Sequence, residues 1–371
     1  MQAFPARPGD SVDDVDTPTL VVDLDAFERN LDLMANAVRG AGVALRPHAK
    51  SHKCPDIALA QIERGAVGVC CQKVGEAEVF VAAGVRDVLV TNEIVGETKL
   101  VRLAAIAKKA KVGVLADDAA SVRHIGAAAR AAGVTIDVLV EIDVGARRCG
   151  TAPGAPATAL AEVVARTPGV ALRGLQAYQG AAQHLRRPEE RRAAIESAAA
   201  LARQTKTAIE AAGLACSTVT GGGTGTWQNE RDSGIYTEVQ PGSYIFMDAD
   251  YHRNALAPDE HHFEQSLFVV ATVMSTPARE RAVVDAGLKA FAFDSGPPVV
   301  YGARGLAYEK GSDEHGVISV AADARPPEIG DRLWFIPGHC DPTVNLYDWI
   351  VGVRGTRVEC VWPVAARGAL T

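Results

Sequence analysis

Between Leu45 and Asp248 short β-type runs alternate with alanine-rich stretches of helical spacing, and this alternation constrains the fold more than any other feature of the chain. A strand followed by a helix and then by another strand pairs in parallel, because the crossover returns the chain to the same end of the sheet. The β-type runs are 43–47, 67–72, 87–91, 112–116, 137–144, 172–178, 217–221 and 243–247. Helix-like stretches lie between them at 56–64, 76–83, 98–109, 119–132, 155–166 and 188–212, and Gly65, Gly84, Gly133 and Gly213 stand where C-caps belong. Eight such units in about 200 residues predict an α/β fold of the compact (β/α)8 TIM barrel type rather than an open doubly wound sheet.

After Met247 helical periodicity nearly disappears. β-type runs at 268–273, 281–285, 317–320, 332–335, 349–353 and 357–362, separated by Gly and Pro turns, predict a second, mostly antiparallel β-domain. The early run Thr19-Leu20-Val21-Val22-Asp23 precedes the first barrel helix and is expected to pair with that later sheet. The expected division is a barrel over 24–257 and a β-domain over 258–371, with strand 17–23 joining the β-domain.

Met1 to Asp16 contains no apolar core of the kind a signal peptide needs, and no apolar run approaches the ~20 residues that span a bilayer, so the expected location is the cytoplasm, with no membrane partner. A formal net charge of −7 argues against a nucleic-acid partner, because phosphate recognition needs basic surface. The seven cysteines include no C-x-x-C pair, so they predict small buried hydrophobes rather than a disulfide framework or a cysteine zinc site.

In a barrel the chemistry gathers where the strands end, and the residues after these runs are unusually polar. The first run is followed by His48 and Lys50, the second by Gln72-Lys73 and the third by Asn92-Glu93. Asp143 with Arg147-Arg148 follows the fifth, Tyr178-Gln179 and then His184 the sixth, and Gly221-Gly222-Gly223-Thr224-Gly225 the seventh. Lys50 lies in Arg46-Pro47-His48-Ala49-Lys50-Ser51-His52-Lys53, where an apolar run stops. Burial is expected to lower the pKa of its amine, and a neutral amine is what imine formation with an aldehyde cofactor requires. A solvated basic loop is the ordinary alternative.

A glycine loop after the seventh strand of a barrel is where backbone N–H groups commonly hold a phosphate. Thr224 adds a hydroxyl, and Gln240-Pro241-Gly242-Ser243-Tyr244 offers further donors. A phosphate cradle opposite an imine-forming lysine points to pyridoxal 5'-phosphate. In the second domain, Pro337-Gly338-His339-Cys340-Asp341-Pro342-Thr343 is expected to be extended, which would turn His339 and Asp341 to one side and Cys340 away. That pair suits a divalent metal, Mn²⁺, Mg²⁺, Co²⁺ or Zn²⁺, although a turn hydrogen bond is the commoner use of H-x-D. His48 and His52 are bracketed by Pro47 and Pro55 and are read as surroundings of Lys50, not as ligands. His261-His262 reads as a solvated connection, and His315 as either a turn or part of the site.

Together, Arg46-Pro47-His48-Ala49-Lys50, Cys70-Cys71-Gln72-Lys73, Gln176-Ala177-Tyr178, the Gly221–Gly225 run, Gly242-Ser243-Tyr244 and His339-x-Asp341-Pro342-Thr343 resemble the D-threonine aldolase family. Its relatives include 3-hydroxy-D-aspartate aldolase and the D-serine dehydratase-like proteins, and the resemblance runs from about Asp16 to Gly368. It implies an alanine racemase-type, fold type III pyridoxal phosphate enzyme, with the β-domain completing the site. It makes Lys50 the imine-forming lysine and Gln72, Tyr178, Thr224, Gly225, Gly242, Ser243, Tyr244 and Tyr251 cofactor contacts, with Arg148 near the phenolic oxygen. His339 and Asp341 fall on metal ligands, Mn²⁺ foremost, and His184 on a general base near the substrate hydroxyl. Dehydratase relatives look like they carry H-x-C, so Asp341 favours aldol cleavage, while a one-residue change of register would present the Cys340 thiolate. The implied reaction cleaves a D-3-hydroxy-amino acid: D-threonine to glycine and acetaldehyde, or 3-hydroxy-D-aspartate to glycine and glyoxylate, with dehydratase-type β-elimination as the rival. A homodimer is the default for this architecture.

Overall fold

The computed structural model describes residues 4–371. Thr19–Asp23 (β1) leads into Leu24–Val38 (α1), where the Asp23 carboxylate caps the helix by accepting from the N–H groups of Asp25 and Ala26. Eight parallel strands follow: β2 (Ala44–Leu45), β3 (Val69–Cys71), β4 (Asp87–Glu93), β5 (Lys111–Ala116), β6 (Ile136–Glu141), β7 (Val170–Gln176), β8 (Thr218–Gly221) and β9 (Glu238–Val239). They pair in the order β2-β9-β8-β7-β6-β5-β4-β3. A parallel bridge between His48 and Cys70 closes the ring, with the Cys70 N–H donating to Pro47 O at 2.8 Å.

The period-two pattern of the strands explains the two layers. Leu89, Leu115, Leu139 and Cys70 form one buried cluster, whereas the alternate residues Val88, Val90, Val112, Val114, Val138 and Val140 join the larger core with the helical alanines and valines. Those helices are α2 (Pro55–Glu63), α3 (Val74–Ala82), α4 (Glu97–Ile106), α5 (Ala119–Ala132), α6 (Ala155–Arg166), α7 (Pro188–Ala211) and the unexpected α8 (Trp227–Asp232). α5 and α6 coincide end to end with their expected spans. The local signals are strong: Asp118 caps the start of α5, and Gly133 ends it at φ +70°, which suits glycine.

The eighth strand is not the expected 243–247 run. It is Glu238–Val239, and Ser243–Ile245 is a 3-10 turn. Glu238 lies buried, paired with Arg46 Nε at 2.9 Å and accepting from Thr220 Oγ1 at 2.9 Å. A two-residue strand containing a carboxylate leaves no apolar run to find, and the following Pro241-Gly242 stops it.

The β-domain comprises β10 (Leu267–Ala278), β11 (Arg281–Val284), β12 (Val299–Tyr301), β13 (Leu306–Gly311), β14 (Gly316–Val320), β15 (Arg332–Ile336), the short helix α9 (Cys340–Val344), β16 (Trp349–Arg354) and β17 (Arg357–Pro363). β12 and β13 were not expected, the first because it is short and mostly exposed, the second because half of it is charged or glycine. β1 lies between β10, which it pairs antiparallel, and β16, which it pairs parallel. One core cluster joins Leu20, Phe27, Leu45, Trp227 and Phe246 to Val269, Phe335 and Cys340, so the two sheets share an apolar seam. Among the described residues no helix is long and apolar enough to cross a membrane.

Candidate active site

A cavity of about 120 Å³ opens where the barrel strands end against the β-domain. From the barrel, the 3-10 turn Ala49–Ser51 after β2 presents Lys50, and the turn after β3 presents Gln72. Arg148, Tyr178 and His184 enter from the loops after β6 and β7. Thr224 lies in the loop after β8, and Gly242, Ser243 and Tyr251 in the segment after β9. His339 and Asp341 close the cavity from the β-domain. The expected residues from six barrel loops and one β-domain segment therefore face one space.

Two do not. The Tyr244 side chain turns away in the 3-10 turn, is 1% exposed and accepts at its hydroxyl from Gln61 Nε2 at 3.1 Å. The Gly225 N–H donates to Gln183 Oε1 at 3.0 Å, and Gly225 lines an adjoining cavity that shares Thr224 and Tyr251 with the first. Neither residue lines this cavity, and the Tyr244 hydroxyl and the Gly225 N–H each have an internal partner.

Lys50 Nζ lies 3.3 Å from Asp341 Oδ2. The carboxylate outweighs desolvation and raises the lysine pKa, opposite to the expected lowering. Burial pushes Asp341 up, but the charges of Lys50 and His339 bring it down to about 2. Asp341 also accepts from Ser243 Oγ at 3.2 Å and from Cys340 Sγ at 3.3 Å.

The H-x-D segment is not extended throughout. His339 is extended and precedes the helix, and Asp341 occupies the first turn of α9. Both reach the cavity nonetheless, while Cys340 is fully buried, donates its N–H to Asp248 Oδ2 at 2.9 Å, and has its thiol pushed well above the usual range by burial. The change of register that would present a thiolate does not occur. His339 Nδ1 is bonded to Asp294 Oδ2 at 2.6 Å, which leaves Nε2 as the free ring nitrogen. Among the described residues no group of three or more His, Cys, Asp or Glu converges as a metal cage.

His184 Nδ1 bonds Asp250 Oδ2 at 2.5 Å. Burial raises Asp250, but Arg186 and Arg253, which share its other oxygen, hold it below the usual carboxylate range. An ionised carboxylate only accepts, so Nδ1 donates the proton of this bond and Nε2 is the ring nitrogen left without a partner. Nothing in the sequence around Asp250 or Asp294 marks either as a partner of a histidine across the fold. His48 bonds Thr91 Oγ1 through Nε2 and accepts from the Lys50 N–H through Nδ1, as surroundings of Lys50 should. His315 belongs to a turn in which its carbonyl accepts from the Ser312 N–H. His261 is half-buried and stacked on Trp227 at 5.7 Å, not a solvated residue.

The order of these elements has a counterpart in known proteins. The alanine racemase N-terminal domain family matches residues 22–250, and a serine dehydratase domain family matches 266–353. The chain belongs to the alanine racemase N-terminal domain family. A D-threonine aldolase from an Arthrobacter species is 49% identical over 98% of this chain and 96% of its own. The 3-hydroxy-D-aspartate aldolase of Paracoccus denitrificans (strain Pd 1222) is 46% identical, over 98% of this chain and 95% of its own. The crystal structure of a D-threonine aldolase from Filomicrobium marinum superposes with a TM-score of 0.98 at 50% identity, covering 99% of this chain and all of that one. With such relatives this alanine racemase-family protein is an enzyme, a carbon–carbon lyase of the aldolase type.

The glycine loop of this family member rests on a buried polar chain. Gln183 Nε2 donates to Thr226 Oγ1 at 2.7 Å, and Thr226 donates to Glu230 Oε1 at 2.8 Å. Glu230 Oε2 is buried without a partner among the described residues, and burial raises the carboxyl from 4.5 to about 7. Its folded-state pKa is the higher one, so the folded protein keeps a proton that the unfolded chain has released. Stability from this group is full below about pH 4.5 and is lost as pH rises to about 7, a loss of about 3 kcal/mol. Glu230→Gln removes that slope: thermal unfolding should match the parent near pH 4 and occur at higher temperature than the parent near pH 8. Equal pH slopes in the two proteins would show that Glu230 is ionised in the fold.

Proposed function

We propose that the protein is a pyridoxal phosphate- and divalent-metal-dependent aldolase that cleaves D-3-hydroxy-amino acids, taking D-threonine to glycine and acetaldehyde. The observation that carries this reading is the 3.3 Å approach of Lys50 Nζ to Asp341 Oδ2, an amine from the barrel and an acid from the β-domain meeting in one cavity. The names of the relatives support the D configuration and the β-hydroxyl.

The residues fit both groups. Thr224 Oγ1 is buried without a partner among the described residues, and it sits on the glycine loop beside Gly242 and Ser243, as a site for a phosphate oxygen requires. Pyridoxal phosphate supplies an aldehyde for amines and a conjugated ring that takes up electrons when the Cα–Cβ bond breaks. Lys50 would hold it covalently, with Thr224, Gly242 and Ser243 on its phosphate and Gln72, Arg148, Tyr178 and Tyr251 around its ring. Arg148 already lies over the Tyr178 ring, 5.7 Å from its centre.

A divalent ion, Mn²⁺ before Mg²⁺, Co²⁺ or Zn²⁺, supplies Lewis acidity that lowers the pKa of the β-hydroxyl. His339 Nε2 and the Asp341 carboxylate would be its two protein ligands. The bond from His339 Nδ1 to Asp294 fixes the ring as carboxylate partners of metal-binding histidines do. His184, with Nδ1 held by Asp250, would take the hydroxyl proton on Nε2.

The test is incubation with D-threonine, L-threonine and 3-hydroxy-D-aspartate, with and without Mn²⁺, followed by identification of the carbonyl product. Glycine and acetaldehyde from D-threonine alone of the two threonines, dependent on Mn²⁺, is the expected result. Faster release of glyoxylate moves the substrate to 3-hydroxy-D-aspartate; ammonia and a 2-keto acid would replace aldol cleavage with β-elimination. In the same assay His184→Ala should lose on the order of 100-fold in turnover, and an undiminished rate removes it as base.

A further inference from the structure

The segment that carries His339 and Asp341 is held to the barrel at both ends. At its start, Ala249 and Asp250 donate their N–H groups to Pro337 O and Gly338 O at 3.0 and 3.2 Å, and the Asp248 carboxylate accepts from the Cys340 N–H. At its far end stands Asn345, the C-cap of α9. Its Oδ1 accepts from Lys53 Nζ at 2.9 Å.

Lys53 is an unusual residue. It has φ +50°, a left-handed conformation uncommon outside glycine, and its side chain is only 8% exposed. Its ammonium lies 3.3 Å from Glu76 Oε1, and the other oxygen of Glu76 accepts from the N–H of Gln72 at 2.7 Å. One buried ion pair thus touches the loop that bears Lys50, the loop that bears Gln72, and the helix that bears Asp341. The proposed reaction uses neither Lys53 nor Glu76.

We propose that Lys53 and Asn345 tether α9 to the barrel, and that Asn345 is thereby a positioning residue for the divalent ion, setting where Asp341 stands relative to Lys50. An ammonium has three donors and no lone pair, so it can bridge an acid on one domain and an amide oxygen on the other, which a neutral side chain of that length cannot. Asn345 does not itself line the cavity, and its N–H donates to Asp341 O at 3.4 Å, so its effect must pass through the placement of α9. The inference rests on the metal reading of His339 and Asp341.

The experiment measures Mn²⁺ binding to the cofactor-loaded protein by the electron paramagnetic resonance of free Mn²⁺. Asn345→Ala is expected to raise the Mn²⁺ Kd about tenfold or more while leaving the cofactor's visible absorbance in place, and saturating Mn²⁺ should return kcat toward the parent value. Asn345→Asp, which keeps an acceptor for Lys53, should bind Mn²⁺ as the parent does. A Kd within twofold of the parent in Asn345→Ala overturns the tether. If that variant is not recovered folded, Lys53→Met combined with Glu76→Gln breaks the same bond without stranding a charge and is read by the same criterion. Parent protein that binds no Mn²⁺, or binds it equally after His339→Ala, overturns the metal reading instead.

Discussion

Lys50→Ala should yield a folded protein that has lost the visible absorbance of covalently held cofactor and, with it, on the order of 10³-fold or more of its turnover. Lys50 is the one lysine lining the cavity among the described residues, so no neighbour can take over its bond. Lys53 is engaged by Glu76 and Asn345. The fold should tolerate the change, because the Lys50 side chain is 41% exposed and Asp341 keeps its bonds to Ser243 and Cys340. Absorption and mass spectrometry of the reduced protein read the bond directly. A variant that keeps the absorbance and the rate would refute the assignment.

Treatment with a chelator should stop cleavage and spare the cofactor. Two protein ligands leave most positions of a divalent ion to water and substrate, so the ion should be exchangeable and its removal fast. Lewis-acid stabilisation is worth several kcal/mol, so the rate should fall by on the order of 10² to 10³ and return on adding Mn²⁺. The visible spectrum should not change, because Lys50 and the Thr224 loop belong to the barrel while His339 and Asp341 come from the β-domain. Undiminished turnover in excess chelator would eliminate the metal role.

What the sequence made legible was what depends on near neighbours. Strand alternation located seven of the eight barrel strands, and Gly133 located the end of α5 to the residue. Glu238 hid the eighth strand, since a buried carboxylate is acceptable there only because Arg46 and Thr220 meet it from elsewhere in the chain. The same limit explains the site. Lys50 was legible as a strand-end amine, but its raised pKa depends on Asp341, a residue brought to it only by the fold. His339 and Asp341 were legible as a pair, whereas α9, Asp294 and Asp250 were not. The glycine run shows why motifs carry two meanings: a side chain at Gly223 would press on Gln183, and one at Gly221 on the Ala177 carbonyl, so packing alone asks for glycine at both.

The pairing of β1 with β10 and β16 fixes an order of events on the ribosome. Leu20, Val21 and Val22 emerge early, yet their partners at Leu267–Val270 and Val351–Gly352 follow roughly 245 and 330 residues later in the chain. Through that interval the nascent chain carries an open, apolar ribbon beside a barrel that can already close, and a ribbon with bare edges recruits other chains as readily as its own. Crowded overexpression is therefore the condition under which this protein should misassemble.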